Sequence, residues 1–179
     1  PEWPVAFFAI AAIGAICVPL NAWWTGPELS YGLSNSGAKV LICDPERLDR
    51  AAPHFAELPA LEQVLVARAG GAVPGATRLE DIIGSSAGWS ELPDTDLSDV
   101  AIAADDPATI LYTSRTTGNP KGALGTHRNL TTNILSSGYA AARSVLRRGE
   151  ALPAPTSKTM LTVIPLFHAT ACSATMMGA

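Results

Sequence analysis

Charge is scarce in this sequence, and so is cysteine. Only 16% of the 179 residues are Asp, Glu, Lys or Arg, the formal net charge is −4, and no long basic stretch occurs. A nucleic-acid surface needs clustered cations, so no nucleic-acid partner is expected. The densest positive group is Arg143, Arg147 and Arg148. It falls where a helix is expected to end, and there it complements the helix dipole. The three cysteines, Cys17, Cys43 and Cys172, are odd in number and spaced for neither a zinc site nor a disulfide framework. Cys17 and Cys43 lie in apolar runs, where cysteine acts as a small hydrophobe; a reducing, cytoplasmic setting is the expectation. A membrane span is missing too. Val5–Leu20, VAFFAIAAIGAICVPL, is uncharged but sixteen residues long, short of the roughly 20 a span requires. Gly14 and Pro19 interrupt it, and no basic region precedes it as in a signal peptide. A buried helix followed by a buried strand accounts for it.

What is present is apolar. Hydrophobic residues make up 47% of the chain, which is long enough for one ordinary domain with a core. The first half alternates helix and strand signals. Pro4–Ala12 reads as a helix, with proline tolerated in its first turn, and Ala15–Pro19 as a short buried strand. After a turn over Asn21–Thr25, Pro27 opens a helix that runs to about Ser36 and closes at Gly37. Lys39–Cys43 reads as a strand ended by Asp44-Pro45, Glu46–Leu58 as a helix, and Val64–Ala67 as a further strand. His54 is expected on the solvent face of its helix. Strands separated by helices imply an α/β fold, a mostly parallel sheet with helices on both faces.

The pattern then loosens. AGGAVPGATR, from Ala69, reads as a turn-rich surface stretch, and Leu79–Ile83 as one or two helical turns. Residues 1–84 thus form a first α/β half, 85–106 a connector, and 107–179 a second half. That second half holds a strand over 108–112, a loop, and a long helix capped by Thr126. Leu130, Ile134, Tyr139, Ala142 and Leu146 fall near one face of the helix. Met160–Ile164 reads as a last strand. The chain opens on Pro1 without an initiator methionine and closes on Ala179 within an expected helix start, the pattern of a piece of a longer protein.

Residues 112–122, YTSRTTGNPKG, carry the chemistry. Hydroxyls and backbone N–H groups in a nest donate to phosphate, glycines permit positive φ or close approach, and Lys121 supplies a point charge. The loop is expected to be irregular from 113 to 122, between a strand and a helix. It is not a Walker loop, because glycine rather than Ser or Thr follows Lys121, and no GxGxxG dinucleotide fingerprint occurs.

This stretch, followed by Thr126-His127-Arg128-Asn129-Leu130, resembles the AMP-binding motif of adenylate-forming enzymes, [ST]-S-G-[ST]-T-G-x-P-K-G before S-H-x-N. Pro1-Glu2-Trp3 with Gly14-Ala15 and Val18-Pro19-Leu20-Asn21 is similar to the family's early segment. Pro165-Leu166-Phe167-His168 is similar to its P-[LM]-[FY]-H motif. The resemblance implies a partial N-terminal domain of that fold, lacking the C-terminal lid with its catalytic lysine. It implies a two-step acid–thiol ligase. A carboxylic acid, a fatty acid first among the candidates, is activated by ATP to an acyl-adenylate and passed to coenzyme A. Carried over by position, Thr113, Ser114, Thr116, Thr117, Gly118 and Lys121 hold the β- and γ-phosphates with Mg²⁺ alongside, while His168 sits beside the acyl pocket and adenylate. No metal-ligating residues are assigned. Weak association with a membrane surface and the oligomeric state stay open.

Arg115 departs from the pattern, which has glycine there. If φ is positive at that point, arginine costs about 1–2 kcal/mol of strain; its guanidinium also matches phosphate geometry. The expectation is that Arg115 impairs the loop. Two alternatives follow: an aryl-acid CoA ligase, and a non-catalytic, degraded homologue.

Overall fold

The computed structural model describes residues 2–113, 118–152, 154 and 161–172. Helix α1 covers Glu2–Ala12 and α2 covers Gly26–Ser36. The start of α2 is locally encoded. The Glu28 carboxylate accepts from the Thr25 backbone N–H at 2.7 Å and from its hydroxyl at 2.8 Å, so the N3 side chain reaches back to the N-cap residue across one turn. Gly37 ends the helix, its N–H returning to Leu33 and Ser34.

Strand β1, Val40–Cys43, leads into α3, Pro45–Ala51, where the Asp44 side chain accepts from Arg47 N–H at 3.0 Å. The helix expected to reach Leu58 stops early. Residues Ala52–Glu57 tighten into a 3₁₀ segment, because Pro53 has no N–H for an α-helical bond. His54 differs from expectation as well. Its side chain is only 25% exposed, and a Cβ placed on Gly26 would stand 2.8 Å from its Nε2. The ring therefore packs beneath the start of α2 instead of facing solvent.

Strand β2, Gln63–Val66, pairs in parallel with β1 from Val40↔Gln63 to Cys43↔Val66, and with β3, Thr77–Arg78, on its other edge. The stretch read as turns thus contributes a two-residue strand. Leu48, Val64, Val66 and Ala69 form the core over this sheet. A short helix α4, Glu80–Ile83, follows, and the connector holds one 3₁₀ segment, Ser86–Glu91.

The second sheet is antiparallel. Strand β4, Pro107–Thr113, pairs with β5, Lys121–Thr126, in a register closed by Tyr112↔Gly122 and Thr113↔Lys121. The loop was expected to run from a strand into a helix; it instead joins two strands, and Thr113 and Lys121 belong to those strands. The strand expected at Ala15–Pro19 reduces to one parallel bridge, Cys17↔Thr109. It is held by Cys17 N–H to the Ala108 carbonyl and Ile110 N–H to the Cys17 carbonyl, both 2.9 Å. The α/β class holds, with a parallel sheet and a separate hairpin.

Helix α5, His127–Arg147, begins where expected, with Thr126 as its cap. None of its residues is buried; Leu130, Ile134 and Ala142 of the apolar face are half-buried, while Tyr139 and Leu146 are exposed. Residues 161–163 adopt no strand, and Met160 lies outside the described residues. A strand needs a partner for its N–H and C=O groups, and none pairs with 161–163 among the described residues. No helix of the described residues is long and apolar enough to cross a membrane.

Candidate phosphate-binding site

The hairpin brings Thr113 and Lys121 opposite each other at the mouth of the loop. The Thr113 hydroxyl donates to the Lys121 carbonyl at 3.3 Å, a long contact that leaves the hydroxyl free to turn. Lys121 is exposed, and among the described residues its ammonium has no ion-pair or hydrogen-bond partner. Ser114, Thr116 and Thr117, together with Arg115, lie outside the described residues. Gly118 has φ 78°, and among the described residues nothing lies within 4 Å of where its Cβ would stand. Gly122 meets a different demand. A Cβ there would stand 2.7 Å from Ile110 Cγ2 and 3.3 Å from Tyr112 Cζ, so β5 lies against side chains of its partner strand.

Helix α2 supports this loop from behind. Tyr31 Oη donates to the Pro120 carbonyl at 3.1 Å, immediately before Lys121. Tyr112 Oη donates to Asn35 Oδ1 at 2.8 Å and lies 3.3 Å from the Gly32 carbonyl. The Tyr112 ring meets Trp24 edge-on at 5.6 Å and Tyr31 at 6.5 Å. Burial, with Tyr31 adding to it, raises the Tyr112 pKa, which keeps the phenol a neutral donor. Trp24 is held in turn. Arg47 Nε donates to the Ala22 carbonyl at 3.0 Å, and Arg50 Nη1 to the Ala22 and Trp24 carbonyls at 3.1 and 3.3 Å.

His168 hangs from the same turn. It is exposed, its ring 5.9 Å from that of Phe167, which meets Trp23 edge-on at 5.3 Å. The His168 carbonyl accepts from Cys172 N–H at 2.9 Å, and Cys172 is buried with Cys17 and Phe7. Adjacent tryptophans thus contact the two candidate segments, Trp24 at Tyr112 and Trp23 at Phe167. Among the described residues no hydrogen bond or ring contact joins His168 to Thr113, Gly118 or Lys121.

The N-terminus of α5 is otherwise engaged. His127 N–H donates to the Asp106 carbonyl at 3.1 Å, Arg128 N–H to the Ala104 carbonyl at 2.7 Å, and Asn129 N–H to the Thr126 hydroxyl at 3.2 Å. Arg128 also forms a two-pronged pair with Asp105 at 2.6 and 2.9 Å. Helix ends attract anions through free N–H groups; here those groups are taken, so the start of α5 offers an anion none of them. Among the described residues no group of three or more His, Cys, Asp or Glu could hold a metal ion. These residues offer Mg²⁺ no cage of their own.

Sequence reasoning did not find Tyr31, Asn35, Trp23, Trp24, Arg47 or Arg50. One signal was available. Tyr31 and Asn35 stand four apart on α2, hence on one face, while Leu29 and Leu33 form its buried one.

The sequence profile described as AMP-binding enzyme matches residues 1–179. The chain is 35% identical over 179 residues to the long-chain-fatty-acid–CoA ligase FadD15 of Mycobacterium bovis, covering 98% of this chain and 27% of that protein. It is 33% identical over 171 residues to a feruloyl-CoA synthase of an Amycolatopsis species, covering 96% and 28%. It therefore spans little more than a quarter of these relatives. Among solved structures, the anthranilate CoA ligase AuaEII in complex with anthranoyl-AMP matches with TM-score 0.63 and 29% identity, over 75% of this chain and 24% of that one. The N-terminal domain of FACL13 from Mycobacterium tuberculosis matches in fold with TM-score 0.70 and 24% identity, over 99% and 38%.

Proposed function

This chain belongs to the AMP-binding enzyme family, and from that premise we propose that it supplies the phosphate-holding part of an ATP-dependent, AMP-forming acid–CoA ligase. One observation supports the reading: among the described residues Lys121 has no side-chain partner and Thr113 is only weakly held, across the mouth of a loop anchored from behind. In the first step a carboxylate oxygen attacks the α-phosphorus of ATP, the α–β bond breaks, and pyrophosphate leaves. In the second the sulfur of coenzyme A attacks the acyl carbon and AMP leaves. Thr113, Ser114, Thr116, Thr117, Gly118 and Lys121 hold the β- and γ-phosphates, where charge grows as pyrophosphate separates; donors aimed in advance act most strongly there. Mg²⁺ would offset phosphate charge. His168 serves the acyl side. A lid domain outside residues 1–179 completes the site, in a cytoplasmic enzyme.

A fatty acid is the proposed substrate, supported by the relation to FadD15. An aryl acid is the second reading, favoured by the feruloyl-CoA synthase and the anthranilate ligase. The test is acid- and ATP-dependent pyrophosphate release by the full-length protein over a panel of both acid types. Lys121→Ala should lower that rate by about a hundredfold, the effect of losing one preorganised donor. Release that depends on no acid, or that survives Lys121→Ala within about twofold, would refute the assignment.

A further inference from the structure

We propose that Tyr31 is a positioning residue for the phosphate loop, acting through the Pro120 carbonyl on Lys121. The inference rests on the phosphate-loop reading above. Lysine carries its charge on a flexible four-carbon stem, so the placement of its backbone decides where the ammonium can reach. The Pro120 carbonyl and the Lys121 N–H share one planar trans peptide. Holding the carbonyl toward α2 therefore sets the plane from which the Lys121 chain departs.

The contact is specific. It joins residues 89 apart in sequence, is partly buried, and measures 3.1 Å. Tyr31 itself cannot drift, because α2 buries Leu29 and Leu33 on its other side. At its start, Gly26 lies so near Arg50 that a Cβ would meet the Arg50 carbonyl oxygen at 2.5 Å. The other arm of the hairpin is latched to the same helix, through Tyr112 to Asn35. Helix α2 thus grips the loop on both sides of its mouth. The Tyr112 latch lies within β4, whereas the Tyr31 latch falls on the residue preceding the proposed phosphate cation.

Removal of the Tyr31 hydroxyl leaves the ring and its packing. In the full-length protein, Tyr31→Phe should raise KM for ATP roughly three- to tenfold, the range expected for one hydrogen bond, with KM for the acid unchanged. Tyr139→Phe, on the exposed face of α5, is the control for loss of a phenol. Because Tyr31 acts through Lys121, the two effects should not add. In a Lys121→Ala background, Tyr31→Phe should shift KM for ATP by less than about twofold. Without nucleotide, amide exchange of residues 118–124 should quicken in Tyr31→Phe; unchanged exchange overturns the clamp whatever the kinetics. A lower melting temperature with KM for ATP unmoved, or equal shifts for ATP and acid, marks a merely structural residue and overturns the proposal. Additive effects of the two substitutions overturn it as well. If Lys121→Ala itself leaves ATP kinetics intact, the phosphate-loop reading fails, and the positioning role with it. If Lys121→Ala impairs them but Tyr31→Phe does not, only the clamp fails.

Discussion

Replacing Gly118 and Gly122 one at a time, by alanine and by asparagine, separates two demands that the loop motif makes of glycine. At Gly118 the backbone has φ 78° and no described residue lies within reach of a Cβ. Alanine there should cost roughly 1–2 kcal/mol of left-handed strain. Asparagine, whose short side chain tolerates that region, should recover part of the loss. At Gly122 the conformation is ordinary but the space is filled, with Ile110 Cγ2 2.7 Å from the added carbon. That methyl sits on a branched β-carbon, so it cannot swing away without moving its strand. Overpacking of this kind costs about 1–3 kcal/mol, offset by about 0.5–1 kcal/mol because alanine loses less entropy than glycine on folding. The net loss for Gly122→Ala is then roughly 0–2.5 kcal/mol, and Gly122→Asn should be worse. For a chain of this size each kcal/mol moves the melting temperature by about 2–4 °C. Thermal unfolding followed by circular dichroism reads both series. Asparagine tolerated equally at the two positions, or alanine at Gly122 that stabilises the chain, would refute the assignment of one glycine to conformation and the other to contact.

Thr126→Ala should destabilise the chain by about 1 kcal/mol in urea unfolding, since it removes the cap that accepts from Asn129, whereas Thr126→Ser should be near neutral. Burial pushes the Cys17 thiol up to about 12 from 9.0, with Cys172 adding to the effect. Alkylation of the native protein at pH 8 should therefore be on the order of a thousandfold slower at Cys17 than at a free thiol, the thiolate being the reactive form. Since the folded state holds that proton more tightly than the unfolded chain, the associated stability is intact below pH 9.0 and declines as pH rises from there toward about 12. A denaturant midpoint that rises over that window would contradict the sign. Arg115→Gly in the full-length protein should speed adenylate formation, by up to the roughly hundred- to thousandfold worth of one preorganised donor. A tenfold loss instead would show arginine to be a phosphate ligand. The 179-residue chain alone should release no pyrophosphate from ATP and an acid.

What the sequence determined by itself is local. The caps at Thr25, Asp44 and Thr126 act across three residues, so residue type and spacing are enough to place those helix starts. The loop's donors are likewise contiguous, and family membership followed from a string of neighbours. The second strand of the hairpin was not legible. KGALGT has no alternation of apolar and polar side chains and contains two glycines, and its first two residues were expected to belong to the loop. Only pairing with β4 makes it a strand, and its glycines are then needed where Ile110, Tyr112 and Thr109 press against it. Pro53 does carry a local signal for the early end of α3, one outweighed by the apolar pattern around it. The reach of Tyr31 to Pro120, of Trp24 to Tyr112 and of Trp23 to Phe167 spans from 88 to 144 residues. No periodicity within one element encodes such contacts. They exist because close packing of α2, the tryptophan turn and the hairpin leaves each ring one place to go, and that packing is what aims the loop.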